Sequence, residues 1–126
     1  MMVGEIQEFL GSYFEVLQSQ DLSLFDRVFH RDCVLYSQQD GATVVRSLSE
    51  YRKIVEERNS PDSGGFARRD EILMIDVLAP DMVLAKVRLR LFNNIMVDYL
   101  NLMRVDGRWQ IVSKLFYRLD SALTVS

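Results

Sequence analysis

Apolar residues at Ile6, Leu10, Tyr13, Phe14 and Leu17 recur at helical spacing, with Glu5, Glu8 and Glu15 between them. That pattern predicts one amphipathic helix from about Val3 to Gln18. Asp21 suits an N-cap, and Leu22, Phe25, Val28 and Phe29 form the stripe of a short second helix. Val34 to Gln38 reads as a strand, Asp40-Gly41 as a hairpin turn, and Thr43 to Arg46 as the returning strand. Ser47 and Glu50 make a capping box for a third helix whose buried side is Leu48, Tyr51, Ile54 and Val55. The stretch Ser60 to Gly65 is the one low-complexity segment and the best candidate for a mobile loop.

Beyond that loop the period changes from helical to alternating. Arg68 to Leu78, Met82 to Phe92, Ile95 to Val105 and Arg108 to Tyr117 each read as long strands. The turns between them are Pro80-Asp81, Asn93-Asn94 and Asp106-Gly107, and the last two suit tight two-residue hairpins because Asn, Asp and Gly tolerate positive φ. Three helices followed by an antiparallel meander predict an α+β domain.

The turns also predict which residues share a face. With Asn93-Asn94 as the turn, Leu89 pairs with Asp98, Val87 with Leu100 and Ala85 with Leu102. Val83, Ala85, Val87, Leu89 and Leu91 are uninterruptedly apolar, so this face is the core face and Asp98 points into it. The Asp106-Gly107 turn then puts Trp109, Ile111, Ser113, Leu115 and Tyr117 on the same face. The opposite face carries Lys86, Arg88 and Arg90, then Val97, Tyr99, Asn101 and Met103, then Gln110, Val112, Lys114 and Phe116. An outer face with this many large apolar groups reads either as a half-polar outer surface or, more sharply, as a sheet-to-sheet homodimer interface with the basic stripe meeting carboxylates or water.

Composition narrows the chemistry. The 126 residues fit a single domain spanning 1–126, with 48% hydrophobic and 26% charged residues. A net charge of −3 argues against a nucleic-acid-binding protein, and no apolar run is long enough for a membrane span. The start carries Glu5 and Glu8 without a basic segment, so no secretory signal is expected and the cytoplasm is the default location. One His and one Cys leave no intrachain disulfide and no Cys/His zinc site, so no metal and no cofactor are expected. His30 reads as a C-terminal cap of the second helix, and Cys33 as a small buried residue.

Several stretches resemble a known family. They are Tyr13-Phe14, Asp26 to His30, Arg69 to Leu73, Ala85 to Arg88 and, most tellingly, the run from Asp98 to Phe116 with Asp106-Gly107-Arg108-Trp109 at its centre. Over nearly the whole chain the sequence resembles the nuclear transport factor 2-like superfamily, and within it the small bacterial family named putative lumazine-binding. The resemblance implies a curved, mainly antiparallel sheet wrapping a conical cavity, with three N-terminal helices packed on its concave side. It also implies a cavity that binds a small apolar or heteroaromatic molecule, in a homodimer and without intrinsic catalysis.

The resemblance supplies a second reading as well. Ketosteroid isomerase shares the superfamily fold and builds an oxyanion hole from a Tyr and a protonated Asp. Tyr13 and Asp98 would fill those roles in a cavity enzyme performing proton transfer or dehydration, an isomerase or lyase. Asp40 is the nearest candidate for the carboxylate base, although it sits in a turn. Phe14, Tyr36, Trp109, Ser113 and Tyr117 are the candidate ligand-lining residues, the aromatic ones as stacking surfaces. A third reading is an accessory subunit that binds another protein.

Overall fold

The computed structural model describes residues 2–121. Its elements run α1 (Met2–Ser19), α2 (Leu22–Val28), β1 (Phe29–Gln39), β2 (Ala42–Ser47), α3 (Leu48–Glu57), β3 (Asp70–Ala79), β4 (Met82–Leu91), β5 (Asn94–Val105) and β6 (Arg108–Ser121). The expected helix caps form. Asp21 accepts from Ser23 N and Leu24 N, and Ser47 Oγ accepts from Glu50 N. The six strands make one sheet in the order β2-β1-β6-β5-β4-β3, antiparallel throughout except for β1 against β6. The fold is therefore the expected α+β cone. α1 packs on β3 and β4, α2 on β1 and β6, and α3 on β1 and β2.

The core lies between the helices and the concave side. Ile6, Leu10, Tyr13 and Leu17 of α1 are buried against Val83, Ala85, Val87 and Leu89 of β4 and Leu100 and Leu102 of β5. Burying each large apolar side chain contributes about 1.5–3 kcal/mol, so this stripe is the main attachment of α1 to the sheet. β1 starts immediately after α2, so Phe29 is the C-cap and His30 lies in the strand rather than capping the helix. The Ser60–Gly65 segment is a series of turns tied to α1 by Asp62 N donating to Gln18 O at 3.1 Å.

Two registers differ from the sequence expectation, with unequal consequences. Leu91 stands opposite Asn94, so the β4–β5 turn is Phe92-Asn93. Phe92 adopts a φ of 55°, costly for a bulky residue. Its ring is held against Phe66 (5.6 Å) and beneath the Arg58 guanidinium (5.5 Å). The pairing slips by two residues, placing Val87 opposite Asp98. A two-residue slip preserves side-chain parity, so Asp98 still faces inward.

The β5–β6 hairpin starts in the expected register, with Val105 opposite Arg108 and Leu102 opposite Ile111. A bulge then inserts Val112 into β6, and beyond it Asn101 stands opposite Ser113 and Asp98 opposite Phe116. One extra residue reverses parity. Lys114 turns inward and is 5% exposed, while Leu115 and Tyr117 turn outward at 53% and 49%. Ser113, Leu115 and Tyr117 therefore do not share the face of Asp98, and Lys114 and Phe116 do not belong to the outer face. Lys114→Met should leave Asp98 without its cation. The expected loss is about 3–5 kcal/mol, the range for stranding one member of a buried ion pair. Urea unfolding followed by fluorescence of the single Trp, Trp109, measures it, and a loss under ~1 kcal/mol would contradict this role for the pair.

Candidate functional site

Asp98 sits in the middle of β5 and is 1% exposed. Two groups converge on its Oδ2. The Tyr13 hydroxyl, brought in by the buried stripe of α1, donates to it at 2.6 Å, and Lys114 Nζ from β6 lies 3.8 Å away. The ammonium also stands over the rings of Tyr13 and Tyr51, 5.2 Å from each centroid, and of Phe116 at 5.7 Å. Aromatic faces thus replace part of the water that a buried cation forfeits. Burial first, and the Asp98 charge second, push the Tyr13 phenol well above its ordinary 10.0, which keeps it a donor. Asp98 is therefore an ion-paired acceptor, rather than the lone acid in apolar surroundings that the alternation of β4 and β5 suggested.

A pocket of about 100 Å³ opens beside this cluster, lined by Leu17, Leu35, Arg46, Tyr51, Arg58, Leu89, Leu91, Met96, Asp98, Lys114 and Phe116. Of the residues named from sequence, Asp98 lines it, and Tyr13 reaches it through Asp98. Phe14 is buried in the core, its ring 5.9 Å from that of Tyr13. Trp109 lies at the other end of α1, its Nε1 donating to Glu5 Oε2 at 3.5 Å and its ring beneath Arg104. Ser113 is on the outer face, where its Oγ accepts from Asn101 Nδ2 at 2.8 Å. Tyr36, at 40% exposure, pairs across β1 and β6 with the outward Leu115, and Tyr117 lines a separate outer groove. Asp40 remains in the β1–β2 turn and pairs with Arg118 at 3.3 Å, away from the pocket. The second carboxylate that the isomerase arrangement requires is therefore not among the pocket's lining residues.

Lys114, Arg46, Arg58 and Tyr51 were missed. Alternation cannot find Lys114, because Ile111-Val112 and Leu115-Phe116-Tyr117 are apolar at both parities. One signal was available. An Asp directed into an apolar row needs a cation, and in β6 only Arg108, Lys114 and Arg118 could supply it. Arg46 and Arg58 reach the pocket from the ends of β2 and α3, and no local pattern marks them.

The single His and the single Cys are not among the residues lining this pocket. His30 Nδ1 accepts from Asp32 N at 3.1 Å, and His30 lines a polar cleft with Asp26 and Arg108. Cys33 is buried in the core. Burial raises its thiol from 9.0 to about 11, with the Lys114 charge a smaller opposing influence.

A family model described as "Putative lumazine-binding" matches residues 2–117. The chain belongs to that family. No curated protein matches it. Among solved structures, it is similar to an NTF-2 like protein of unknown function from Silicibacter pomeroyi, at 16% identity and a TM-score of 0.82, covering 93% of this chain and 95% of the other. A protein of unknown function from Shewanella baltica has the same coverage, 19% identity and a TM-score of 0.78. A ketosteroid isomerase-like protein from Erwinia carotovora atroseptica matches at 13% identity and a TM-score of 0.68, over 91% and 94% of the two chains. These likenesses show the nuclear transport factor 2-like fold.

For this member of the family the thiol yields a prediction about stability. The folded chain holds the Cys33 proton more tightly than the unfolded chain. Its contribution is thus complete below pH 9 and is lost as pH rises towards about 11. Unfolding free energy should fall by up to about 1.4 kcal/mol per pH unit in that window. Cys33→Val should abolish the decline between pH 9 and 10, leaving a later one from Tyr13, whose ordinary value is 10.0. Parallel urea titrations of the two proteins across this range measure the difference, and identical slopes would contradict it.

Proposed function

We propose that the protein binds a small molecule in the pocket beside Asp98 and Lys114, as a homodimer joined through the outer sheet face, and that it does so without catalysis of its own. The observation that carries the binding reading is the pocket itself: a buried charged pair borders it, and Asp98 Oδ1 there has no hydrogen-bond partner. The membership of the putative lumazine-binding family supports the same reading. The pocket is more polar, and smaller, than a stacking site for a flat heteroaromatic. Of the aromatic residues only Tyr51 and Phe116 line it, and its volume is about 100 Å³, against roughly 300 Å³ and upward for drug-sized ligands. The isomerase reading lacks its base, for the reason given by Asp40.

The dimer reading rests on the outer face. Its basic stripe is already satisfied within the chain: Arg88 forms a two-pronged pair with Glu71 (2.8 and 3.1 Å), and Lys86 lies over the Tyr99 ring at 5.3 Å. What remains for a partner is an apolar groove of about 530 Å³ that includes Leu73, Val97, Tyr99, Leu115, Tyr117 and Leu119. A face whose cations are engaged in this way suits an equally apolar second copy better than an anionic partner.

Two measurements test these readings. A thermal-shift panel of small acids, sugars and pteridines should raise the melting temperature with at least one class, and Met96→Trp, which fills the pocket, should abolish that shift. A shift that survives the substitution would place binding elsewhere. In sedimentation at micromolar concentration the protein should run as a dimer and Leu115→Glu as a monomer. A wild-type monomer would overturn the dimer.

A further inference from the structure

The charges around the pocket do not balance. Three cations, Arg46, Arg58 and Lys114, line it against one carboxylate, Asp98. Lys114 is accounted for by its contact with Asp98. The arginines are not, since neither has a carboxylate partner among the described residues. Arg58 is held in place all the same. With the Gln20 amide in the orientation that satisfies both its ends, Gln20 Oε1 accepts from Arg58 Nε and its nitrogen donates to Val55 O, each at 2.9 Å. The guanidinium stacks on Phe92, and its backbone N–H closes α3 onto Ile54 O. This anchoring leaves Arg58 Nη2 buried and without an acceptor, in the same pocket where Asp98 Oδ1 is buried and without a donor.

From this arrangement we infer that the pocket selects a small hydroxycarboxylate, its carboxylate taken by Arg58 and Arg46 and its hydroxyl donating to Asp98 Oδ1. The inference deepens the binding reading above and rests on it. An anion is favoured because two half-buried guanidinium groups lack a counter-charge, and the buried Arg58 Nη2 lacks an acceptor. A carboxylate meets a guanidinium with two parallel charge-assisted hydrogen bonds, the strongest geometry available to Arg58. The donor on the ligand is a hydroxyl rather than an ammonium. Asp98 can only accept, and Lys114, 3.8 Å from it, would repel a second cation. The volume limits the rest of the molecule: about 100 Å³ is the share of about three water molecules at roughly 30 Å³ each, the bulk of glycolate or lactate. Depth orders the contacts. Asp98 and Lys114 are buried, whereas Arg46 and Arg58 are half-buried, so the anion meets the arginines first and the hydroxyl reaches the interior.

Calorimetric titration of the full chain with lactate, its neutral amide and lumazine tests the inference. Lactate should bind, the amide should bind at least about tenfold more weakly, and Arg58→Met should lose at least about tenfold for lactate, as expected for one charged hydrogen bond. Arg46→Met, which disturbs no helix cap, should weaken lactate in the same direction. Propionate, which lacks the hydroxyl, should bind more weakly than lactate to the wild type and equally to Asp98→Asn. If lumazine or the amide binds and lactate does not, the anion inference fails while the pocket remains a binding site. Lactate affinity unchanged in both arginine variants likewise overturns it. If none of these compounds binds, the inference falls, and a thermal-shift panel that is also silent removes the binding reading with it.

Discussion

The contact between Asp98 and Lys114 is the constraint around which the rest of the molecule is arranged. Two charges in a protein interior survive only where surrounding groups replace the water they have lost. Here the replacements come from every layer: a phenol from α1, a second ring from α3, and Phe116 from β6 itself. Each element is thereby fixed relative to the others. α1 must present Tyr13 at its buried stripe, and β6 must carry a bulge so that Lys114 and Ile111 can both face inward. The pocket is the space left when these groups have met.

The same constraint explains what could be read from the chain and what could not. The elements, their order and the inward direction of Asp98 follow from periodicity, caps and turns, because each depends on neighbours within a few residues. The Phe92-Asn93 turn was misplaced, since favourable turn chemistry at Asn93-Asn94 competed with packing of Phe92 on Phe66 and Arg58, groups distant in sequence. That error was harmless because it moved the pairing by an even number. The Val112 bulge was not harmless. A single inserted residue in a stretch apolar at both parities leaves no trace in the alternation, and it exchanged Ser113 and Tyr117 for Lys114 and Phe116. Of the expected aromatic lining, the bulge moves only Tyr117 outward, while Tyr36 lies on the outer side of β1 and Phe14 and Trp109 in the packed core.

The two faces of the sheet handle charge in opposite ways. On the outside, Arg88 is paired with Glu71 and the Lys86 ammonium lies over the Tyr99 ring of the same sheet, beside an apolar groove suited to a like surface. On the inside, charge accumulates: the cations that line the pocket outnumber its carboxylate by two, three against one. A chain with net charge −3 that collects cations in this inward pocket has a local potential opposite in sign to the whole. The global charge therefore carries little information about this ligand, and the local field governs it.

Stability alone does not account for the pair. Replacing a buried ion pair with apolar residues of similar volume is often neutral or stabilising, so Leu or Met at these two positions, with Phe in place of Tyr13 whose hydroxyl would otherwise lose its acceptor, would serve the fold as well. What apolar residues could not supply is a carboxylate oxygen left open towards a pocket, beside a guanidinium nitrogen left open in the same pocket. Those two atoms are complementary to each other in hydrogen bonding and satisfied by nothing in the described chain. A molecule that offers an acceptor to one and a donor to the other would complete both. The energetic argument and the geometric one thus meet at the same place: the charges that the fold could do without are the ones that define what it can hold.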